Sequence, residues 1–267
     1  MAFNFCSITS GSSGNCLYIG TPKVNVLIDA GISGKRVQNG LNQINVNPKD
    51  IHGIFITHEH SDHIKGVGIL SRRFDIPIFA TASTWRAMDE MESIIGKIKP
   101  EHRQVIEKDK DFMIEDLVIH PYSTPHDAAD SVGYTFIHGD KKISIATDLG
   151  HMNDYIKNHI RESNLILLES NHDIDMLKSG SYPYYLKRRI LGDRGHLCNE
   201  IAGKTLAEIF HDKLKTVILG HLSKENNYPD LAYMSVRNEL IEAGIEVDKR
   251  FELTVASREE ISKLFEV

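Results

Sequence analysis

Apolar residues in this chain fall in short runs rather than long helical stripes, and the β-branched runs among them predict strands. Phe3 to Thr9, Cys16 to Gly20 and Val24 to Ile28 give the first three, and Ser10-Gly11-Ser12-Ser13-Gly14-Asn15 joins the first pair. A helix is predicted over Ser33 to Ile44, followed by the strand Gly53 to Ile56, which is too short to be helical. Ser61 reads as the N-cap of a helix continuing over Ile64 to Phe74. Pro77 to Ala80 predicts a strand, Ser83 or Thr84 to about Ile95 a helix, and residues 102–122 further strand material. Val132 to Ile137 and Lys142 to Ala146 flank His138-Gly139-Asp140-Lys141, a hairpin signal. The strands Leu165 to Leu168 and Thr216 to Leu219 enclose three helical pieces and the loop Gly192 to His196. A helix over Asp230 to Ala243 and a strand over Glu246 to Leu253 complete the order.

Hairpins followed by β/α units, given twice, predict an α/β protein with two mixed sheets packed face to face and helices outside. With no linker, low-complexity segment or sequence repeat in view, residues 1–267 read as a single domain, long enough for a substantial core. The Ser10–Asn15 linker resembles a phosphate-cradling nest, but it lacks the lysine of a P-loop and no helix follows. A tight hairpin turn is the simpler reading.

The strands share one grammar: each apolar run hands over to a side chain able to bind a metal. The handovers are Asp29, the segment Thr57-His58-Glu59-His60-Ser61-Asp62-His63, then His126, Asp148 and His221. Within six residues, His58 to His63 hold three histidines and two carboxylates. The spacing of His58 and His60 suits an extended or looping backbone, since helical ligands stand three or four apart. Imidazole nitrogen and carboxylate oxygen are ligands for Zn, Mn or Fe, and without thiolate the set does not choose among them. His52, His102, His120, His138, His151, His159 and His211 have no partners by spacing and are read as structural.

Composition changes this picture little. An apolar fraction of 41% and a charged fraction of 25% are ordinary for a soluble globular protein. The net charge of −6 does not advertise a nucleic-acid binder, although two divalent ions would add four positive charges at one place. Three scattered cysteines exclude a disulfide framework or a thiolate zinc site and suit a reducing cytoplasm. No signal peptide is evident, and no apolar run reaches the roughly 18 residues of a membrane span.

The order Asp29, H-x-H-x-D-H at His58 to His63, His126, Asp148 and His221 resembles the metallo-β-lactamase superfamily. The resemblance covers nearly the whole chain. It implies a four-layer αββα sandwich with two divalent metal ions (Zn, Mn or Fe) at one edge. Within the superfamily the chain is similar to the YycJ/WalJ-like group. That likeness rests on S-G-S-S-G-N, on E-S-N-H-D at Glu169 to Asp173, on the Tyr-Pro-rich K-R-R-I segment and on Gly195-His196-Leu197. The group is described as metallohydrolases with 5′-to-3′ exonuclease activity on double-stranded DNA, related to the tRNA 3′-processing endonucleases.

Carried over by position, the resemblance implies that His58, His60 and His126 take one metal and that Asp62, His63 and His221 take the other. Asp148 would bridge them, since the two oxygens of a carboxylate can each face one cation, and ions held about 3.5–4 Å apart can share a hydroxide and clamp both oxygens of an in-line phosphoryl displacement. Asp62 would also orient or deprotonate the attacking water. Asp29 would stand behind the ligands, fixing an imidazole or a loop. His196 resembles the histidine that contacts the scissile phosphate in the tRNA-processing relatives. Cys198 stands where the group has serine, which puts a hydroxyl contact to phosphate there in doubt.

Two readings stay open for Glu169 and His172: substrate or ligand support at the same edge, or helix capping and packing. The segment Tyr182-Pro183-Tyr184-Tyr185-Leu186-Lys187-Arg188-Arg189 pairs rings with cations, as in a nucleic-acid contact made by Tyr184, Lys187, Arg188 and Arg189. A basic helix face with inward tyrosines is the alternative. For function the leading reading is a phosphodiesterase on DNA, with RNA as a second substrate class. A hydrolase of thioesters, lactones or cyclic nucleotides, and a non-catalytic regulatory metal protein, are the others. Oligomeric state is not legible.

Overall fold

The computed structural model describes residues 2–247 and 249–267. Its strands are β1 (Asn4–Thr9), β2 (Cys16–Gly20), β3 (Asn25–Ile28), β4 (Gly53–Phe55), β5 (Ile78–Thr81), β6 (Arg103–Ile106) and β7 (Phe112–Ile114). They continue as β8 (Leu117–Ser123), β9 (Val132–His138), β10 (Lys141–Ala146), β11 (Leu165–Glu169), β12 (Thr216–Gly220), β13 (Glu252–Val255) and β14 (Phe265–Glu266). One sheet runs β14-β1-β2-β3-β4-β5-β6 and the other β13-β12-β11-β10-β9-β8-β7. In each, antiparallel hairpins give way to parallel crossovers, from β3 onward in the first and from β10 onward in the second. Two mixed sheets with helices outside are the expected four-layer αββα sandwich.

Why such strands read as unbroken apolar runs is visible in β4 and β11. Phe55 points into the core between the sheets, while Ile54 and Ile56 join the layer under the helices. Leu165 and Leu167 likewise face the opposite sheet, and Ile166 and Leu168 face outward to helices. Both faces are buried, so alternation sorts side chains between two cores rather than between core and water. Phe55 anchors the middle core, stacked on Phe79 at 4.6 Å and meeting Tyr134 edge-on at 5.8 Å. Tyr134 buries its ring there and donates its hydroxyl to the Ile56 carbonyl at 2.7 Å, so β9 is pinned across the sandwich to the end of β4.

Three element boundaries differ from expectation. The helix expected over Ile64 to Phe74 is two pieces, Ser61–Ile64 and Val67–Phe74, and His60 rather than Ser61 occupies the N-cap, with no side-chain cap bond. Gly66 lies between them, where a Cβ would stand 2.2 Å from the Ile32 carbonyl oxygen, so that backbone approach requires glycine. The helix expected from Ser83 or Thr84 to Ile95 breaks at Met91 into Ala82–Glu90 and Glu92–Ile95. The last long strand is Glu252–Val255 rather than Glu246 to Leu253, paired parallel to β12; residue 248 of the expected span lies outside the described residues. No helix among the described residues is long and apolar enough to cross a membrane.

Replacing Phe55 with alanine should lower the free energy of unfolding by about 3–5 kcal/mol, the usual cost of emptying an aromatic site in a core. Urea denaturation measures it; a loss below about 1 kcal/mol would mean that this ring does not hold the sheets together.

Candidate metal centre

The expected handovers meet at one edge of the sandwich. There β3 is followed by Asp29, β4 by Thr57 and His58, β8 by His126, β10 by Asp148 and β12 by His221, while β11 ends on Glu169 itself. Parallel crossovers deliver carboxyl ends to a common edge, which is why residues far apart in sequence assemble here. Asp29, Asp148 and His221 adopt φ of 57°, 59° and 54°, the left-handed region that side chains other than glycine seldom occupy. The surrounding packing holds these turns against their intrinsic preference.

The donor atoms form interlocking groups. One donor from each of His58, His60 and His126 lies within 4.8 Å of the others, and the same is true of Asp62, His63 and His221. Asp148 stands between the groups: its Oδ2 is 3.5 Å from His63 Nε2, and its Oδ1 is 3.5 Å from His221 Nε2 and 3.7 Å from His126 Nε2. Asp62 Oδ2 lies 3.5 Å from His63 Nε2 and 3.7 Å from His221 Nε2. His58 Nε2, His221 Nε2 and Asp148 Oδ2 are buried with no hydrogen-bond partner among the described residues. Protein interiors seldom leave such atoms unpaired. Divalent cations would satisfy all three, and an imidazole–carboxylate donor set fits them.

Behind the donors, other groups fix the rings of His63, His126 and His221. Asp29 Oδ2 pairs with His63 Nδ1 at 2.7 Å, and Asp29 in turn accepts the Thr57 amide and hydroxyl, each at 2.8 Å. His126 Nδ1 meets the Gly195 carbonyl at 3.1 Å. Glu169 Oε1 contacts both His196 Nδ1, at 2.8 Å, and His221 Nδ1, at 3.0 Å, while Oε2 accepts the amides of Leu149 and Leu197. With Nδ1 engaged, His63, His126 and His221 turn Nε2 toward Asp148, the arrangement that fixes tautomer and direction at metal sites.

The electrostatics divide the cluster. Burial, reinforced by His63, His126 and His60, holds His58 well below its ordinary pKa, so it is a neutral imidazole. For His221 burial pushes downward too, but Asp148, Asp62 and Glu169 outweigh it and lift the value to about 10. His63 rises for the same reason, burial being overcome by Asp148, Asp29 and Asp62. The carboxyl of Asp62 is held far below its usual range, because His63 and His221 outweigh the cost of its burial. Metal ligands must be deprotonated, so a cation here would compete with protons for the nitrogens of His63 and His221.

The residues expected to contact substrate divide as well. Glu169 is fully buried and spends its oxygens on protein partners, so it is a support for His196 and His221 rather than a substrate contact. His172 is also buried, bridged to Cys198 beside that support, and burial pulls its pKa to about 4. The ammonium of Lys187 donates to the carbonyls of Lys178 and Gly180, and Arg189, its side chain still 55% exposed, pairs with Asp127; both contacts tie the helix Tyr184–Ile190 to its neighbours. Tyr184 and Tyr185 are 76% and 73% exposed, and the Arg188 guanidinium lies over the Tyr184 ring at 6.0 Å. Cys198 occupies the N-cap of the helix Asn199–Ile209 with its thiol buried and makes no side-chain cap bond.

Sequence reasoning missed the neutral supports. Asn15 brings its Nδ2 within 3.2 Å of His63 Nε2, Ser10 Oγ accepts the His221 amide at 2.9 Å, and Asn171 donates to the His221 carbonyl at 2.9 Å. The Ser10–Asn15 hairpin turn is therefore also part of the site's wall, a role its glycine-and-serine composition does not announce.

An αββα sandwich with His and Asp groups able to hold metal at the strand ends defines a class of metal-dependent hydrolase folds. The chain belongs to the β-lactamase superfamily, whose domain model matches residues 24–221. It is 41% identical over 253 residues to the exodeoxyribonuclease YycJ of Bacillus anthracis, covering 95% of each chain. To the exodeoxyribonuclease WalJ of Streptococcus pneumoniae strain D39 it is 38% identical, over 100% of this chain and 99% of the relative. The solved metallo-β-lactamase-fold protein YhfI of Bacillus subtilis superposes with a TM-score of 0.69 at 14% identity, covering 98% of this chain and 99% of that one.

Asp29→Ala removes the carboxylate behind His63 without touching a donor of either group. It should weaken metal retention by about 10–100-fold in a chelator competition. Retention equal to the parent protein would show that Asp29 has no part in orienting the ring.

Proposed function

We propose that this chain is a dinuclear-metal phosphodiesterase that degrades double-stranded DNA from the 5′ end. The observation that carries the reading is the placement of Asp148 between the group His58, His60, His126 and the group Asp62, His63, His221. Relatives named exodeoxyribonuclease that match it end to end support a DNA substrate. On this reading residues 1–267 act as one domain, in the cytoplasm, where three free cysteines persist as thiols.

His58, His60 and His126 would hold one divalent cation, Asp62, His63 and His221 the other, with Asp148 shared. Such cations supply Lewis-acid activation of water and charge neutralisation at a phosphate. The chain's own groups do the rest. Asp62, partly exposed and kept ionised by His63 and His221, orients the attacking water. His196 is directed by Glu169 through Nδ1, which leaves Nε2 to donate to the phosphate or to the departing oxygen. Beside them the helix Tyr184–Ile190 is tied to the His126 loop by Arg189 and Asp127, while Arg194 Nε donates to the His126 carbonyl at 3.1 Å. The exposed rings of Tyr184 and Tyr185 thereby stand near the edge where a strand end would be split, ready to stack on terminal bases.

Incubation with end-labelled double-stranded DNA, single-stranded DNA and RNA, in Mn and in Zn, tests the reading. Stepwise release of nucleotides from 5′ ends of the duplex is expected. Cleavage of thioesters or lactones with no cleavage of DNA would overturn it. His196→Ala should slow turnover by about 10²–10⁴-fold, the worth of a positioned general acid, with metal content unchanged. Unchanged turnover removes His196 from the mechanism. Joint replacement of Tyr184 and Tyr185 by alanine should raise KM for duplex DNA about 10-fold or more while kcat moves little, since stacking contributes about 1–3 kcal/mol per base; an unaltered KM would exclude these rings from binding.

A further inference from the structure

A second donor cluster lies on the outer face of the second sheet, built from histidines that sequence spacing left without partners. His120 stands on β8, His159 on the helix Asp154–Ile160 and Asp109 in the turn ahead of β7, and one donor from each lies within 4.8 Å of the others. None of these residues belongs to the strand-end centre.

The cluster is held from several sides. The Asp109 amide donates to the Pro121 carbonyl at 2.8 Å, which pins the turn beside β8. His159 Nε2 lies 3.7 Å from Asp109 Oδ1, and the Tyr155 hydroxyl donates to that same oxygen. The His159 ring lies flat on Tyr122 at 5.0 Å and 4°, stacks with His120 at 4.8 Å and meets Tyr155 edge-on at 4.4 Å. His120 is oriented through Nδ1 by Asp111, and its remaining nitrogen, Nε2, is buried with no hydrogen-bond partner among the described residues. A carboxylate on one imidazole nitrogen with the other left bare is how proteins direct a ligating histidine.

Two stacked imidazolium ions would repel each other. Burial and the neighbouring His120 hold His159 below its ordinary pKa. A neutral imidazole with a free lone pair is a metal ligand in waiting. We propose that Asp109, His120 and His159 form a separate binding site for a borderline transition-metal dication of the Zn, Co or Ni kind, with solvent completing its coordination. Imidazole donors select these ions over Mg or Ca, which prefer an all-oxygen shell. A cation there ties the Asp109 turn, β8 and the Asp154–Ile160 helix together. Through Asp109 the site is also linked to the end of β8, because the Tyr155 hydroxyl that donates to Asp109 accepts the Ser123 amide at 3.1 Å.

The test compares tag-free parent protein with a His120→Ala/His159→Ala variant, both saturated with Zn and analysed by equilibrium dialysis and elemental mass spectrometry. The parent should retain one equivalent more than the variant, whatever number the strand-end centre holds. Asp109→Asn, at an exposed turn whose left-handed backbone asparagine tolerates, should weaken that same equivalent by at least about 10-fold and leaves the aromatic packing in place. Circular dichroism of each variant, stripped of metal, checks that the fold survives. Equal stoichiometry in the parent and the double variant would overturn the proposal. So would an Asp109→Asn protein that binds the additional equivalent as tightly as the parent, should the double variant fail to fold.

Discussion

The structure depends on a confrontation of charge at one edge of the sandwich: carboxylates and imidazoles are crowded there beyond what buried groups tolerate alone. Asp62, Asp148 and Glu169 face His63 and His221 in a region nearly closed to water. Like-signed groups at such distances repel, and each ion carries a desolvation cost. What makes the arrangement sustainable is the rigidity behind it. The central strands of both sheets are buried on both faces, so their ends are fixed by packing rather than by the polar groups they carry. The left-handed turns at Asp29, Asp148 and His221 are tolerable on the same ground.

Around that edge the polar residues sort into layers of dependence. The rings of His63 and His221 are directed by carboxylates that are themselves held: Asp29 by Thr57, Glu169 by the amides of Leu149 and Leu197. Glu169 has the widest reach, because one oxygen sets both His196 and His221. A change at Glu169 is therefore felt at the centre and at His196 together. A precise site needs this kind of support, since a loosely held ring loses the direction on which its chemistry depends.

Much of this was legible in the sequence. Strands buried on both faces announce themselves as apolar runs, and the residue at which each run stops is also the residue at which the site begins; Asp29, His58, Asp148 and His221 were readable for that reason. Less accessible were contacts that depend on the third dimension. The ammonium of Lys187 looks free in a basic segment, yet it donates to two carbonyls, and Arg189 is spent on Asp127. Glu169 reads as one more strand-end carboxylate until its two histidine partners are in view. Asn15 and Ser10 carry no chemical signature at all. His120 and His159 lie 39 positions apart and are joined only by the packing of a helix on a strand. The helix break near Gly66 and the late start of β13 are boundary effects of backbone packing that apolar periodicity does not encode.

On the proposed function, scattered strand ends converge to hold two cations on either side of Asp148. Anomalous diffraction from crystals grown with Mn or Zn, recorded at the metal edge, tests it most directly. The account predicts two peaks at that edge, one among His58, His60 and His126 and the other among Asp62, His63 and His221, with Asp148 between. A single peak, or none under saturating metal, would contradict it.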